Sequence, residues 1–166
     1  PKDHKSFASN HKDKNPFQTL SMPYGEQILW PDHCIIGTSG AKFHPALNVN
    51  LAQCVIRKGY NREIDSYSTF FENDKISPTG LAGYLRENNI KRIFLVGLAF
   101  EYCVGFSAID GAKLGFEVYL LMDAIGCFRN HDFNNMDNLL TKLNVVTTGT
   151  DKLFERISIV YEKNPE

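Results

Sequence analysis

The sequence has little of what marks a nucleic-acid-binding, membrane or disulfide-stabilised protein. Its 18 lysines and arginines nearly balance 19 aspartates and glutamates, whereas a nucleic-acid or membrane-surface partner would call for a clustered excess of one charge. No apolar run approaches the roughly 18 residues that a membrane-spanning helix needs. The 4 cysteines lie far apart, and the given chain shows no signal-peptide pattern. We therefore expect reduced thiols, a cytoplasmic protein and a small-molecule partner.

Two familiar chemistries are disfavoured by motifs that the sequence lacks. A GxGxxG pattern, which an NAD-binding Rossmann domain needs around the pyrophosphate, is absent. A CxxC pattern, which is typical of thiol redox proteins, is also absent. What is present is ordinary globular composition, with 43% apolar and 22% charged residues in 166. This length supports one hydrophobic core, so we expect a single domain over residues 1–166.

The segment from residue 92 to 116 gives the clearest structural signal. Ile93 to Val96 and then Leu98 read as a strand buried on both faces, and the periodic apolar residues after a short turn predict a helix. Cys103 would then lie at the helix start, past the carboxyl end of the strand, where α/β sheets bind ligands. Helix amides favour a thiolate there, so Cys103 is a candidate nucleophile. A small buried core residue is the alternative interpretation.

The remaining pattern predicts an α/β fold. Residues 1–50 are rich in turn residues and read mostly as loop. Later strands alternate with helices, which favours a mostly parallel sheet with helices on both faces. The predicted strands are 53–59, 93–98, 116–122 and a short one within 145–150, with a strand-like segment at 157–163. The predicted helices are 79–89, one starting at Cys103, 131–143 and 150–156. Two further cysteines, Cys54 and Cys127, read as core residues.

Four sequence blocks carry a resemblance to a known family. They are HKSF at 4–7, WPDHCIIGTSGAKFHP at 30–45, RKGYNREIDSYSTFF at 57–71 and VGLAFEYCVGFSAIDGAKLGF at 96–116. In this order and spacing the sequence resembles the nicotinamidases, also called pyrazinamidases, within the isochorismatase-like cysteine hydrolases. The resemblance extends to about residue 148. The WPDHC block is the discriminating one, since related amidases lack this metal loop. The fold it implies is three-layered and Rossmann-like.

The resemblance implies a reaction and assigns residues to it. Nicotinamide, or pyrazinamide, would be deamidated to the acid and ammonia in NAD salvage, through a thioester on Cys103. Lys58 would favour the thiolate and stabilise developing negative charge. The backbone amides of Ala99 and Cys103 would hold the amide oxygen, with a cis peptide bond predicted between Leu98 and Ala99.

The same resemblance implies a binding pocket and a metal. Trp30 and Tyr67 would be aromatic walls that sandwich the pyridine ring, and Tyr102 would lie beside the nucleophile. His33 and His4 would be two ligands of a divalent metal, with zinc expected first and iron or manganese also suited to such a site. Full-length relatives complete this site with one aspartate and a third histidine.

Those two ligands and the family's catalytic aspartate have no counterpart in this sequence. In the family pattern they precede the proline that matches Pro1. We therefore expect an N-terminally incomplete domain, whose first βα unit, on the order of 50 residues, exists as a separate piece or was removed by cleavage. Exposed strand edges would then invite pairing, including homo-oligomer formation. An inactive or regulatory fragment, or a cysteine amidohydrolase for another carboxamide or carbamoyl substrate, remains an alternative.

Overall fold

The structure, a computed structural model, describes residues 1–128 and 131–153, with only the backbone described for His131. It divides into two compact units, one comprising Pro1–Thr79 and one beginning at Gly80. The expectation of a single domain over residues 1–166 stays a prediction. None of the helices in the described ranges has the length and apolarity needed to cross a membrane.

The first unit consists mainly of loops, as its turn-rich sequence predicts. Its regular part is a hairpin of two antiparallel strands, β1 (Thr19–Met22) and β2 (Gly25–Ile28), in which Met22 lies opposite Gly25. Gly25 has a φ of 125°, which glycine adopts without strain. The tight turn there lets β2 fold back and bury the side chain of Gln27 completely. Three single-turn 3-10 helices lie elsewhere in the unit, at Ala8–Asn10, Ser39–Ala41 and Val49–Leu51.

Backbone hydrogen bonds fasten the N-terminal loop beside the end of this hairpin. The Trp30 N–H donates to the Ser6 carbonyl at 2.7 Å, and the Ala8 N–H donates to the Trp30 carbonyl at 2.9 Å. Phe7 and Trp30 thereby form a parallel bridge. The N-terminal loop is therefore held next to the loop that follows β2. The apolar core of the unit includes Phe7, Ala8, Leu29 and Phe70.

The predicted strand at 53–59 is wrong. These residues form no regular ladder with any other segment of the described chain, and Val55 is 50% exposed. Cys54, predicted to lie in a core, is exposed as well. Val and Ile favour extended backbone, but that preference does not supply the neighbouring strand whose hydrogen bonds make a strand stable.

The second unit is built around a parallel sheet, which confirms the predicted α/β class. Its strands are β3 (Arg92–Leu98), β4 (Glu117–Gly126) and β5 (Val146–Thr148). The sheet has the order β3-β4-β5, and both neighbouring pairs are parallel. The helices are α1 (Leu81–Glu87), α2 (Gly105–Lys113) and α3 (His131–Lys142). Strands and helices alternate along the chain, as parallel pairing requires.

Helix α2 makes the central packing contacts of this unit. It contacts both β4 and α3, and its inward face carries small and branched side chains that allow close approach. The predicted periodicity of this helix is thus confirmed. The buried apolar residues of the three elements include Ala108, Ile109, Val118, Leu120, Leu121, Met136 and Leu140.

Strand β3 departs from the prediction that both its faces are buried. Val96 is 53% exposed and Leu98 is 76% exposed. Within the described residues β3 is the edge strand of its sheet, paired only with β4, and the pairing register shifts between Leu95 and Gly97. A strand with one neighbour has less surface to cover its side chains than a central strand has.

Element boundaries differ from the predicted ones in smaller ways. Helix α1 begins at Leu81 because Gly80 turns the backbone into the left-handed region, with a φ of 94°. Strand β4 runs on to Gly126, beyond the predicted end at residue 122. The predicted helix at 150–156 begins with a 3-10 turn, Thr150–Lys152. Its last residues and the strand-like segment at 157–163 lie outside the described residues.

Candidate active site

Cys103 lies in a π-helical turn, Phe100–Val104, between the end of β3 and the start of α2. The N–H groups of Tyr102 and Val104 both donate to the Ala99 carbonyl, each at 3.1 Å. A widened turn therefore stands where the sequence pattern predicts a regular helix start, although Cys103 does follow β3 as expected. The side chain of Cys103 is half-buried. A thiol in this setting can meet a small ligand while part of its surroundings is shielded from water.

Hydrogen bonds hold the turn on its helical side. The Ser107 hydroxyl donates to the Cys103 carbonyl at 2.6 Å. The Tyr102 hydroxyl donates to a carboxylate oxygen of Asp132, in the first turn of α3, at 3.1 Å. The Tyr102 ring also meets the Phe128 ring edge to face, with centroids 6.1 Å apart. Tyr102 is thus fixed beside the nucleophile by a polar and an aromatic contact.

Glu101, a buried residue of the same turn, makes a further hydrogen bond that holds the turn in place. It is 1% exposed, and its Oε2 accepts a hydrogen bond from the Phe128 N–H at 3.1 Å. A buried carboxyl is retained where hydrogen bonds compensate for the water it has lost. Sequence reasoning assigned no role to Glu101, although a charged residue beside a candidate nucleophile in an apolar stretch was a signal that could have found it.

The peptide bond between Leu98 and Ala99 is cis, as predicted. Ala99 has an extended backbone and immediately precedes the π-helical turn. The resemblance assigns the N–H groups of Ala99 and Cys103 to the oxygen of a substrate amide, and this assignment stays a prediction.

The cysteines differ in exposure. Cys34 and Cys54 are exposed, whereas Cys103 and Cys127 are half-buried. Cys34 lies in the WPDHC loop with a φ of 47°. The candidate nucleophile is therefore less open to solvent than two other thiols of the chain.

Trp30 and Tyr67 come together in the first unit. Their ring centroids are 6.1 Å apart with an interplanar angle of 77°, so the two rings meet at a corner. Trp30 also meets Phe17 edge to face at 6.1 Å and His33 at 6.5 Å. A flat heteroaromatic ligand could stack on one ring and meet the edge of the other, since aromatic pairs favour both arrangements.

A polar cluster that sequence reasoning missed contacts these aromatic rings, and its central residue, Gln27, is buried. Gln27 Nε2 donates to Asp65 Oδ2 at 2.8 Å and to the Tyr67 hydroxyl at 3.1 Å. Trp30 Nε1 donates to the same oxygen of Asp65 at 3.2 Å. Asn73 donates to Gln27 Oε1 at 3.2 Å. We call Gln27, Asp65 and Asn73 the polar cluster.

Lys58 is half-buried, and its ammonium donates to the backbone carbonyl of Ser66. Burial raises the pKa of nearby Glu72 above its usual value, while a hydrogen bond from Ser66 and the positive charge of Lys58 act in the opposite direction. Lys58 is therefore a cation held in place by the loop it faces, rather than a fully solvated strand end. Its role beside a thiolate stays a prediction.

His4 is 3% exposed and is held by its own loop. Its Nδ1 accepts a hydrogen bond from the Ser6 N–H at 3.1 Å, so a neutral ring carries its proton on Nε2. Burial lowers the pKa of His4, which favours the neutral ring, while Asp65 and the carbonyls of Ile64 and Asn61 act in the opposite direction. Nε2 is buried and has no acceptor at hydrogen-bonding distance and angle. As placed, His4 presents a proton, not a lone pair.

His33 has the opposite arrangement. Its Nδ1 lies 2.7 Å from the Pro31 carbonyl, which can only accept, so the proton is on Nδ1 and the lone pair on Nε2. His33 and His4 both lie against the Phe7 ring, with centroids 5.4 and 5.8 Å from it. Zinc sites use at least three protein ligands, yet no group of three His, Cys, Asp or Glu side chains in the described residues could hold an ion. The donors among the described residues therefore do not fit a metal by themselves.

The predicted site residues thus fall into two groups. Trp30, His33 and Tyr67 form one aromatic cluster, with Lys58 and His4 in the same unit. Ala99, Tyr102 and Cys103 share the turn of the second unit.

Comparisons with known proteins agree with the sequence resemblance. The isochorismatase domain model matches residues 5–151. The chain is 52% identical over 124 residues to the nicotinamidase of Acinetobacter baylyi, covering 75% of this chain and 58% of that protein. It is 40% identical over 129 residues to the nicotinamidase of Escherichia coli, covering 76% of this chain and 58% of that protein. The chain thus spans less than two thirds of these relatives.

Solved structures show the same fold. A nicotinamidase/pyrazinamidase from Acinetobacter baumannii matches with a TM-score of 0.90 and 42% identity, over 92% of this chain and 74% of that one. The yeast nicotinamidase bound to the inhibitor nicotinaldehyde matches with a TM-score of 0.79 and 28% identity, over 90% and 76%. The pyrazinamidase of Pyrococcus horikoshii, in complex with zinc, matches with a TM-score of 0.68 and 28% identity, over 90% and 70%.

The match to the domain model covers most of the chain, including the turn with Cys103 and the loop with Trp30 and His33. Together with the parallel sheet, it confirms the resemblance stated from the sequence blocks. The chain belongs to the isochorismatase family.

Proposed function

We propose that this chain carries the nucleophile and the ring-binding residues of an amidohydrolase that deamidates nicotinamide, and also pyrazinamide. The observation that carries the proposal is the setting of Cys103, half-buried in the turn that follows β3. The identity to nicotinamidases from two bacteria supports the choice of substrate.

The proposed reaction has two steps. The Cys103 thiol gives up its proton and the resulting thiolate attacks the carboxamide carbon. The C–N bond then breaks as that proton is delivered to the leaving nitrogen, which gives ammonia and a nicotinoyl thioester. Water then attacks the thioester carbon and the C–S bond breaks. One proton of the water returns to sulfur to regenerate the thiol, and the other passes to solvent as nicotinate is released. The amide oxygen gains negative charge in both steps, and the backbone N–H groups of Ala99 and Cys103 would stabilise it.

The other predicted residues have supporting roles in this proposal. The positive charge of Lys58 would favour the thiolate over the thiol. Trp30 and Tyr67 would hold the pyridine ring by aromatic contact, with Tyr102 beside the reacting group. His33, whose Nε2 carries a lone pair, is the residue through which the chain would supply a ligand to a divalent metal. Zinc is the metal expected first. No step of the reaction is assigned to a metal.

Ammonia release from nicotinamide and pyrazinamide tests the proposal. We expect turnover by the chain and its loss in Cys103→Ala, while Cys54→Ala, which removes an exposed thiol, keeps the parent rate. Mass spectrometry after acid quench should find a nicotinoyl adduct on Cys103. Lys58→Met should lower kcat by about a hundredfold, the size typical of a lost electrostatic contact in an active site.

Two outcomes would contradict the proposal. One is hydrolysis of N-carbamoyl amino acids in preference to nicotinamide, which would assign the chain to another substrate class. The other is unchanged ammonia release in Cys103→Ala.

A further inference from the structure

We propose that Asp65 and Gln27 are positioning residues that fix the planes of Trp30 and Tyr67 and so determine how the chain binds a flat aromatic ring. The identity of that ring, nicotinamide, rests on the proposed function. The positioning itself rests on contacts within the first unit.

Asp65 controls the orientation of the indole. The Trp30 side chain has one polar atom, Nε1, and it donates to Asp65 Oδ2 at 3.2 Å. The other oxygen, Oδ1, accepts from the Ser66 N–H at 2.8 Å, which fixes the carboxylate itself. An indole that is held at its only hydrogen-bonding atom cannot turn about its side-chain bonds without breaking that bond. The face that Trp30 offers to a ligand is therefore set in advance.

Gln27 connects the two rings. Its Nε2, which carries two N–H groups, lies within hydrogen-bonding distance of three oxygens: Asp65 Oδ2 at 2.8 Å, the Tyr67 hydroxyl at 3.1 Å and the Ile28 carbonyl at 2.7 Å. Gln27 is 0% exposed, so the bonds it makes are not replaced by water when they break. The buried amide of Gln27 therefore contacts both the Tyr67 hydroxyl and the Asp65 carboxylate. That carboxylate in turn accepts the hydrogen bond from Trp30.

Asn73 completes the support from the far side. It donates to Gln27 Oε1 at 3.2 Å and accepts from the Tyr67 N–H at 3.0 Å. The backbone of Tyr67 and its hydroxyl are thus both tied to the polar cluster. Networks of this kind order the groups they contain before a ligand arrives, and a preorganised site binds with less loss of side-chain freedom.

A substitution of Asp65 separates this role from catalysis. Asp65→Asn replaces one acceptor oxygen by an NH₂ group, so either Ser66 N–H or the pair formed by Trp30 and Gln27 faces a donor. The chain has one tryptophan, and its fluorescence therefore reports on Trp30 alone. We expect a shifted emission maximum and acrylamide quenching at least about twofold stronger. Nicotinamide Kd and KM should rise about tenfold, the loss typical of a buried polar group left unpaired, with kcat changed by less than about threefold.

Two variants serve as matched controls. Asp74→Asn removes another loop carboxylate that accepts several local hydrogen bonds, from Ile76 and Ser77, but that contacts neither aromatic ring. It should keep the emission maximum and the KM of the parent. Asp65→Glu retains a carboxylate, so its emission maximum and its KM should lie between those of Asp65→Asn and the parent. Unfolding in urea is measured for all three variants. A general loss of structure in Asp65→Asn would remove kcat, and an effect common to lost loop carboxylates would also appear in Asp74→Asn.

Parent-like emission, quenching and Kd in Asp65→Asn would overturn the inference, as would an equal change in Asp74→Asn. Failure of the proposed function looks different. If the parent releases no ammonia from nicotinamide, the emission and quenching of Trp30 still decide whether Asp65 positions the indole.

Discussion

Glu101 shows how much a single buried residue can matter to the turn that carries Cys103. Its side chain accepts the N–H of Phe128 and is 1% exposed, so the carboxyl group has no ready access to water as a substitute partner. Tyr102, next along the chain, contacts the Phe128 ring as well. The position of the turn therefore depends on a bond that joins it to the segment after β4.

Replacing Glu101 should uncouple that segment. Glu101→Ala leaves the Phe128 N–H without its acceptor and opens a cavity, and we expect a loss of about 2 kcal/mol in the free energy of unfolding. Glu101→Gln keeps an acceptor oxygen and should lose less than about 1 kcal/mol. Urea denaturation followed by circular dichroism measures both. Equal stability of the Ala variant and the parent would show that the bond contributes nothing.

Residues that act through their position in sequence could be predicted, and those that act through distant partners could not. Cys103 was found because it directly follows an apolar strand, and Trp30 because it begins a recognisable block. Asp65 and Gln27 are 38 residues apart in sequence. Nothing in either local segment indicates that the two side chains meet, so their contact became visible only in the folded chain.

Among the elements, helix α2 depends on a glycine that permits close packing. A Cβ atom at Gly105 would lie 2.5 Å from Met136 Sδ in α3 and 2.5 Å from the Phe100 carbonyl oxygen. The carbonyl belongs to the π-helical turn and cannot move without disturbing it. The first residue of α2 is therefore the point where helix packing and the geometry of the turn are joined.

Gly105→Ala should weaken the second unit. We expect a loss of about 2 kcal/mol in unfolding free energy, as is typical of overpacking. Gly83→Ala is the control, because Gly83 lies inside α1 and a Cβ atom there would have no neighbouring atom within 4 Å. At that position alanine should stabilise by about 0.5 kcal/mol through its higher helix propensity. Thermal unfolding of both variants gives the comparison, and a shift of the same sign in both would contradict it.

The elements themselves were predicted unevenly, for a physical reason. Periodicity is a local property, and it predicted β3, α2, β4 and β5 close to where they lie. Strand pairing is not local, so the segment at 53–59, with Val55 and Ile56, read as a strand although it has no ladder partner in the described chain. The π-helical turn was missed because the spacing of its apolar residues resembles that of an ordinary helix.

At the scale of the whole molecule, exposed apolar residues on β3 predict self-association. Val96→Lys places a charge on this edge strand, as natural proteins often do to prevent pairing. We expect association of the chain to require about tenfold higher concentration in this variant. Sedimentation velocity over a dilution series measures it. Val55→Lys changes a side chain of similar exposure, 50% against 53%, outside any strand, and should behave as the parent does.

The two units also provide separate observables. The single tryptophan lies in the first unit, together with the polar cluster, while the candidate nucleophile lies in the second. Trp30 fluorescence therefore reports on ring binding, and the reactivity of the Cys103 thiol reports on the reacting group. In a variant that changes one of these signals, the other serves as an internal control.

The exposure of the cysteines has a practical consequence for covalent inhibitors. Reaction with a thiol requires both thiolate character and access, and Cys34 and Cys54 have the greater access. A reagent of low selectivity would also react with these two exposed sulfurs. The number of labels bound per chain would then exceed the fraction of chains that are inactivated. With an electrophile whose ring is bound by Trp30, the number of labels bound per chain should instead equal the fraction of chains inactivated.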